Sequence, residues 1–167
     1  DYDGQRFGPR SDKARSVLRE GDAVFGPLIN DALQANMDVA VVSDYGFTTV
    51  ERPVFLNRVL REAGFVAVDG AANGEWLEPN ASRAFAVCDN QAAHIYVRDL
   101  SSLDGVIRCL QDAPGVRAVI GPGHEASVCL GHSRSGQLLA IAEPDAWFAY
   151  PYWLDEKKAP DFARCVD

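Results

Sequence analysis

The sequence predicts an α/β fold, a sheet flanked by helices with a smaller α+β region beside it. Three observations carry this expectation. The run Val39-Ala-Val-Val-Ser43 is short, apolar and bounded by Asp44 and Gly46, which is the pattern of a strand buried on both faces, as in parallel sheets. Ahead of it, Val17, Leu18, Val24, Phe25, Leu28, Ile29 and Leu33 recur at helical spacing up to about Gln34. Beyond it, short apolar stretches and one helix-period stretch alternate between residues 65 and 142. Ligand sites in open α/β sheets lie beyond the carboxyl ends of the strands. Asp44 stands at such an end and is the first candidate site residue, with a capping or turn aspartate as the alternative.

In chain order, the opening Asp1-Tyr-Asp3-Gly4-Gln5-Arg6-Phe7-Gly8-Pro9 reads as a loop, because two acids, two glycines and a proline punctuate nine residues. Ser11 or Asp12 caps the helix that follows, and Gly26-Pro27 should kink it. After Asp44, Pro53 fits the first turn of a helix with Phe55, Leu56, Val59 and Leu60 on its apolar face and Gly64 as its stop. Phe65–Val68 is a short strand, and residues 69–80, rich in Gly, Asn, Glu and Pro, form a surface loop. Strands are expected at 85–87 and 94–97, with a hairpin around Asp89-Asn90-Gln91. A helix follows over 101–113, then strands at 116–120 and 137–142. The aromatic stretch Trp147–Trp153 is either a substrate wall or packing, and packing is the simpler reading. No internal repeat or low-complexity tract is present. The chain divides into residues 1–68 as part of the core with two site loops, 69–136 as an α+β insert or cap, and 137–167 as a return to the core.

Composition limits the partners. The 167 residues are 47% hydrophobic and 24% charged, enough for a sizeable core. A net charge of -8 argues against nucleic acid and anionic membranes and is compatible with divalent cations. No apolar run approaches the ~18 residues of a membrane helix, and no signal-peptide pattern is seen. Cys88, Cys109, Cys129 and Cys165 are widely spaced, form no C-x-x-C pair, and read as reduced packing cysteines, which favours the cytoplasm. His94 falls on a strand, and His124 and His132 flank an irregular stretch without ligand spacing. Gly121-Pro-Gly123 is a turn, since no Lys-Ser/Thr follows it.

Two motifs carry a family resemblance. Asp1-x-x-Gly4-Gln5-x-x-Gly8-Pro9 resembles the D-x-x-G-H-x-x-G-P segment of type I phosphodiesterases and nucleotide pyrophosphatases, and Ser43-Asp44-Tyr45-Gly46-Phe47 resembles their S-D-H-G-M/F segment. A long helix joins the two, as in that family. Ser82–Val87, Ala142-Glu-Pro144 and Ala159-Pro-Asp-Phe-Ala163 are similar to a bacterial branch of it. The resemblance implies an alkaline-phosphatase-like sheet flanked by helices, here incomplete at the N-terminus, with the small α+β subdomain beside it. It also implies a two-zinc phosphoester site in which two ions polarise the phosphoryl oxygens and activate the nucleophile.

By position, Asp1 and Asp44 match the aspartate ligands, while Gln5 and Tyr45 stand where the family has histidines. A Gln amide oxygen is a poor zinc ligand, and Tyr binds well only as phenolate, with an ordinary pKa near ~10. Asn90 is a further candidate replacement. The family's nucleophile lies upstream and its last histidine ligand downstream of these residues, and Thr48 and Thr49 do not match the nucleophile position. The resemblance therefore implies a phosphodiesterase-like protein with a degenerate metal site, weakly active or inactive. One alternative is an active phosphoester or phosphonate hydrolase using Mg or Mn through Asp1, Asp3, Asp44 and Gln5. The other is a non-catalytic domain completed by a partner, either a homo-oligomer or a chain supplying the missing strands.

Overall fold

Helices and sheets alternate in a mixed α/β chain, as expected. The computed structural model describes residues 2–43, 45–123 and 132–165, in two units that divide between Thr49 and Val50. No helix among the described residues is long and apolar enough to cross a membrane.

In the first unit, the opening segment is a short helix, α1 (Tyr2–Phe7), where the sequence reads as a loop. Gly8, at φ +85°, ends it in a conformation that favours glycine. Ser11 then caps α2 (Asp12–Gln34). Its Oγ accepts from Ala14 N at 3.1 Å and donates to Gly8 O at 2.8 Å. The helix runs unbroken through Gly26-Pro27 and ends before Asn36, which holds φ +55°. Ala14 is buried, but Leu18, Val24, Phe25 and Leu28 are each more than half exposed. The strand expected at residues 39–43 is absent. These residues carry no ladder, and Val41 and Val42 are 83% and 88% exposed. Apolar composition gives a segment the capacity to be a buried strand, but a strand exists only where a neighbour takes its N–H and C=O groups, and none does so among the described residues.

The second unit is built on an antiparallel sheet of four strands, in the order β4 (Ala84–Asp89), β5 (Ala92–Val97), β7 (Leu138–Ala142), β6 (Val116–Ile120). The hairpin expected around Asn90 is present, with Asn90 at φ +51° in its turn. Alternation places Ala84, Ala86 and Cys88 of β4 and Ala93, Ile95 and Val97 of β5 on the buried face. Leu56 and Leu60 of α3 (Leu56–Glu62) and Val106 and Leu110 of α4 (Leu103–Gln111) join them in the core, each fully buried. Small residues on the strands leave room for large ones on the helices.

Two short pairings flank this sheet. β1 (Arg52–Val54) runs parallel to β8 (Ala146–Phe148), and β2 (Val68–Ala71) pairs antiparallel with β3 (Gly74–Leu77). Both differ from expectation. Pro53 lies in β1, not in a helical turn, and α3 starts at Leu56. The expected surface loop over 69–80 holds the β2–β3 hairpin, and the strand expected at 65–68 begins only at Val68. Gly74, at φ +114°, starts β3, and a Cβ there would lie 2.6 Å from Pro160 Cα, so glycine is required by both conformation and space. The aromatic stretch serves packing, since Phe148, Tyr152 and Trp153 are buried.

Three polar devices hold the second unit. Asn57, buried on α3, closes the edge of β4. Its Nδ2 donates to Ala86 O at 2.9 Å and its Oδ1 accepts from Ala86 N at 2.7 Å, which is the pairing a neighbouring strand would supply. Arg61 forks onto Glu75 through Nη1–Oε2 at 2.5 Å and Nη2–Oε1 at 3.0 Å, and the two side chains are 16% and 9% exposed. Gln91 Nε2 donates to Glu143 O, Pro144 O and Ala146 O, fixing the turn before β8.

Three predictions follow from this packing. Asn57→Ala leaves the Ala86 N–H and C=O buried without partners and should cost about 2–4 kcal/mol, read as a lower urea midpoint. Gly136→Ala places a methyl 2.6 Å from Ile95 O, a backbone atom that cannot step aside, and should lower the thermal midpoint more than any surface substitution. The third concerns acid. The Arg61 guanidinium holds Glu75 below the usual carboxylate range, Trp153 and Arg58 do the same for Glu156, and hydrogen bonds from Ser101 and Ser102 hold Asp99 at about 2. Groups with depressed folded values stabilise fully above their ordinary pKa and lose that contribution as pH falls through the folded value. Urea midpoints of this unit should therefore be flat above about pH 5 and fall steadily toward pH 2.

Candidate functional site

The two motif segments meet within the first unit. Gly4 of α1 lies against Phe47, whose Cε2 would be 3.9 Å from a Cβ on Gly4. The Phe47 ring meets the Tyr45 ring edge-on, with centroids 5.5 Å apart and planes at 89°. Ser43 Oγ donates to Tyr45 O at 2.6 Å, bracing the backbone on either side of residue 44. Gln5 and Tyr45 therefore sit on segments that touch through Gly4 and Phe47, and both side chains are exposed. Asp1 and Asp44, the two carboxylates of the expected site, lie outside the described residues.

Around α1 the charge is mixed. Arg6 donates to the Tyr2 hydroxyl at 3.4 Å, and the Arg6 guanidinium and the Lys13 ammonium lie 5.5 Å and 5.8 Å from the Phe7 ring centroid. Asp3 is half-buried in the same helix. Thr48 and Thr49 are exposed. Among the described residues no three of His, Cys, Asp and Glu are gathered as a metal-binding group.

The donors at the matched positions do not fit zinc. Gln5 and Tyr45 offer an amide oxygen and a phenol, and zinc prefers nitrogen and thiolate donors. No chemical step is routed through an ion on these residues.

The other residues singled out by sequence have structural places. His94 Nδ1 accepts from Gly136 N at 3.3 Å, and His132 Nδ1 accepts from Arg134 N at 3.1 Å, so the Nδ1 of each ring is engaged by a backbone N–H. His124 lies outside the described residues. Asn90 occupies the β4–β5 turn, where its carbonyl accepts from Phe148 N at 2.6 Å. Cys88 is buried, which pushes its thiol up to about 12, and Cys109 is raised by burial as well. Both are free and suited to packing, not to nucleophilic chemistry. The Gly4–Phe47 contact had no signal in the sequence, because the two residues are brought together by the fold across α2.

The sequence profile described as type I phosphodiesterase / nucleotide pyrophosphatase matches residues 1–164. The chain belongs to that family. No curated protein matches it. Among solved structures it is similar to phosphonoacetate hydrolase from Sinorhizobium meliloti in complex with phosphonoacetate, at 14% identity and a TM-score of 0.43 over 65% of this chain. The chain spans about a quarter of that structure's length, 25%. Type I phosphodiesterases and nucleotide pyrophosphatases are generally zinc-dependent.

The contact between the motif segments can be tested directly. Phe47→Ala removes the ring against Gly4 and should raise hydrogen exchange of amides 2–7 by roughly threefold or more, leaving β4, β5 and β7 unchanged. Gly4→Ala should be tolerated, since its methyl would meet the ring at ordinary van der Waals distance.

Proposed function

We propose that this chain is a phosphodiesterase/nucleotide-pyrophosphatase-like protein whose two-metal pocket has kept its carboxylates, Asp1 and Asp44, and exchanged its imidazoles for Gln5 and Tyr45. On this reading it is weakly active or inactive as a hydrolase toward phosphoesters. The observation that supports it is the meeting of the two motif segments through Gly4 and Phe47, which puts both substituted positions in one neighbourhood. Gln5 offers a neutral oxygen. Tyr45 offers a phenol oxygen, which binds zinc well only as phenolate. Losing a nitrogen donor at each of two ions weakens both together.

The test is metal content by elemental analysis after purification without chelators. The expected result is zinc well below about two per chain, and negligible hydrolysis of a bis-aryl phosphodiester. The double variant Gln5→His, Tyr45→His should retain measurably more zinc at pH 7. Stoichiometric zinc in the unaltered protein overturns the reading. Activity that appears with Mn²⁺ or Mg²⁺ and disappears in Asp44→Ala would replace it with an oxygen-ligated hydrolase, for which the hard donors Asp1, Asp3, Asp44 and Gln5 are suited.

A second reading draws on a separate observation. Leu18, Val24, Phe25 and Leu28 of α2, and Val41 and Val42, are each more than half exposed in the first unit, and large exposed apolar patches mark interaction surfaces. A non-catalytic domain completed by a partner chain would cover these residues. This reading expects an oligomer or complex in size-exclusion chromatography, and a soluble monomer at high concentration sinks it.

A further inference from the structure

Gly74 must be glycine because a Cβ there would strike Pro160 and Ala159 O, and the residue before it is Asn73. Asn73-Gly74 is the one Asn-Gly pair in the chain, and every other asparagine precedes a residue with a side chain. A side-chain amide followed by glycine is open to attack by the next backbone nitrogen, since no Cβ crowds the approach. Asn73 is exposed in the two-residue turn between β2 and β3. Trp76 Nε1 donates to its Oδ1 at 3.2 Å, which draws electron density from Cγ, the atom to be attacked. None of the described residues bonds Asn73 Nδ2, so that nitrogen is open to protonation as it leaves. Asn57 is the opposite case, buried with Nδ2 and Oδ1 both tied to Ala86.

We propose that Asn73 is a site of spontaneous, backbone-assisted deamidation in the folded chain. The Gly74 nitrogen loses its proton to solvent base and bonds to Asn73 Cγ. The Cγ–Nδ2 bond breaks, and the departing nitrogen takes a proton from water and leaves as ammonia. Water then adds to one of the two carbonyl carbons of the resulting cyclic imide. Opening at one gives aspartate, and opening at the other gives isoaspartate. No oxidation state changes, and water is the only co-reactant. The attack requires the Ala71–Gly74 pair to open, and this is the terminal pair of the hairpin ladder. Terminal pairs open at the lowest free energy in a domain. The two products act differently. Aspartate keeps the backbone path and the acceptor for Trp76. Isoaspartate routes the backbone through the side chain and lengthens the turn by one carbon. Gly74 is held in register with Ala71 and is wedged against Pro160, so the added carbon displaces it from one or the other. The isoaspartyl form therefore loosens the hairpin.

Peptide mapping of the full chain, aged in heavy-oxygen water at mildly alkaline pH, tests this. In the folded chain the Asn73 peptide should take up the label and split into aspartyl and isoaspartyl forms. It should do so at least about tenfold faster than the Asn80 peptide of the same sample, where Ala81 carries a methyl and its N–H is held by Glu78 O. The Asn73→Asp variant adds the charge without lengthening the backbone. It should keep the urea midpoint of the unaltered chain, and the purified isoaspartyl fraction should fall below it. An Asn73 that stays intact in the folded chain while it converts in denaturant overturns the proposal, as does a single rate for Asn73 and Asn80. An isoaspartyl fraction as stable as Asn73→Asp overturns the loosening of the hairpin.

Discussion

The bidentate bond between Arg61 and Glu75 is the constraint around which the second unit is arranged. It joins the last turn of α3 to a short hairpin, and through Tyr152 it reaches the aromatic tail. A nearly buried carboxylate is tolerated only while a cation and hydrogen bonds meet it. Any hairpin position that moved Glu75 away from Arg61 would strand a charge, so the pair selects one docking of β2–β3. Asn57 performs a related service four residues earlier on the same helix. Its amide gives the edge of β4 the donor and acceptor of a missing strand, which blocks further pairing at that edge. One short helix thus fixes both the hairpin and the sheet edge with polar side chains, while its leucines supply the packing.

How much of this was legible in the sequence follows from what each signal encodes. β4, β5, β6, β7 and α4 were readable because alternation or helical period ran uninterrupted for several residues and the turns between them carried their usual residues. Ser11 was readable as a cap for the same reason. The β2–β3 hairpin was not, because its strands are four residues each and rich in Gly, Asp and Glu, and what orders them is Arg61, Pro160 and Tyr152 from elsewhere in the chain. Pro53 was misjudged because proline suits both a helix start and a strand without an N–H to satisfy. Of the candidate site, the residue types at positions 5 and 45 were legible, but the contact that joins their segments was not, since a glycine and a phenylalanine 43 positions apart carry no pattern.

The first unit shows the converse limit. Residues 39–43 have the composition of a doubly buried strand and no ladder among the described residues, and α2 has an apolar stripe that stays exposed. Periodicity reports which face of an element is apolar. It does not report what lies against that face. Here the helix forms because its cap and its local propensities suffice for a 23-residue helix, whereas a strand cannot form from local interactions alone, since all its hydrogen bonds go to other segments. Helix and strand expectations of equal strength therefore have unequal outcomes when a neighbour is not at hand.

The proposed donor exchange has an electrostatic consequence beyond metal affinity. In a two-ion phosphoester site the metals supply the positive charge that draws in the substrate, and the carboxylates exist to hold the metals. Remove the imidazoles, which are neutral, and the net charge of the protein ligands does not change. On that reading the carboxylates remain, and with the ions weakly held they would meet a phosphodiester with like charge. Ground-state binding should therefore fail along with catalysis, so weak hydrolysis would not be accompanied by tight phosphoester binding. A protein on this scaffold that still handles phosphoesters has to restore positive charge, either with an oxygen-seeking cation between the carboxylates or with side chains such as Arg6 and Lys13, which lie beside Phe7 at the end of α1. The overall charge of -8 gives no general attraction to help, so whichever source supplies that charge must act locally, within a Debye length of the bound phosphate.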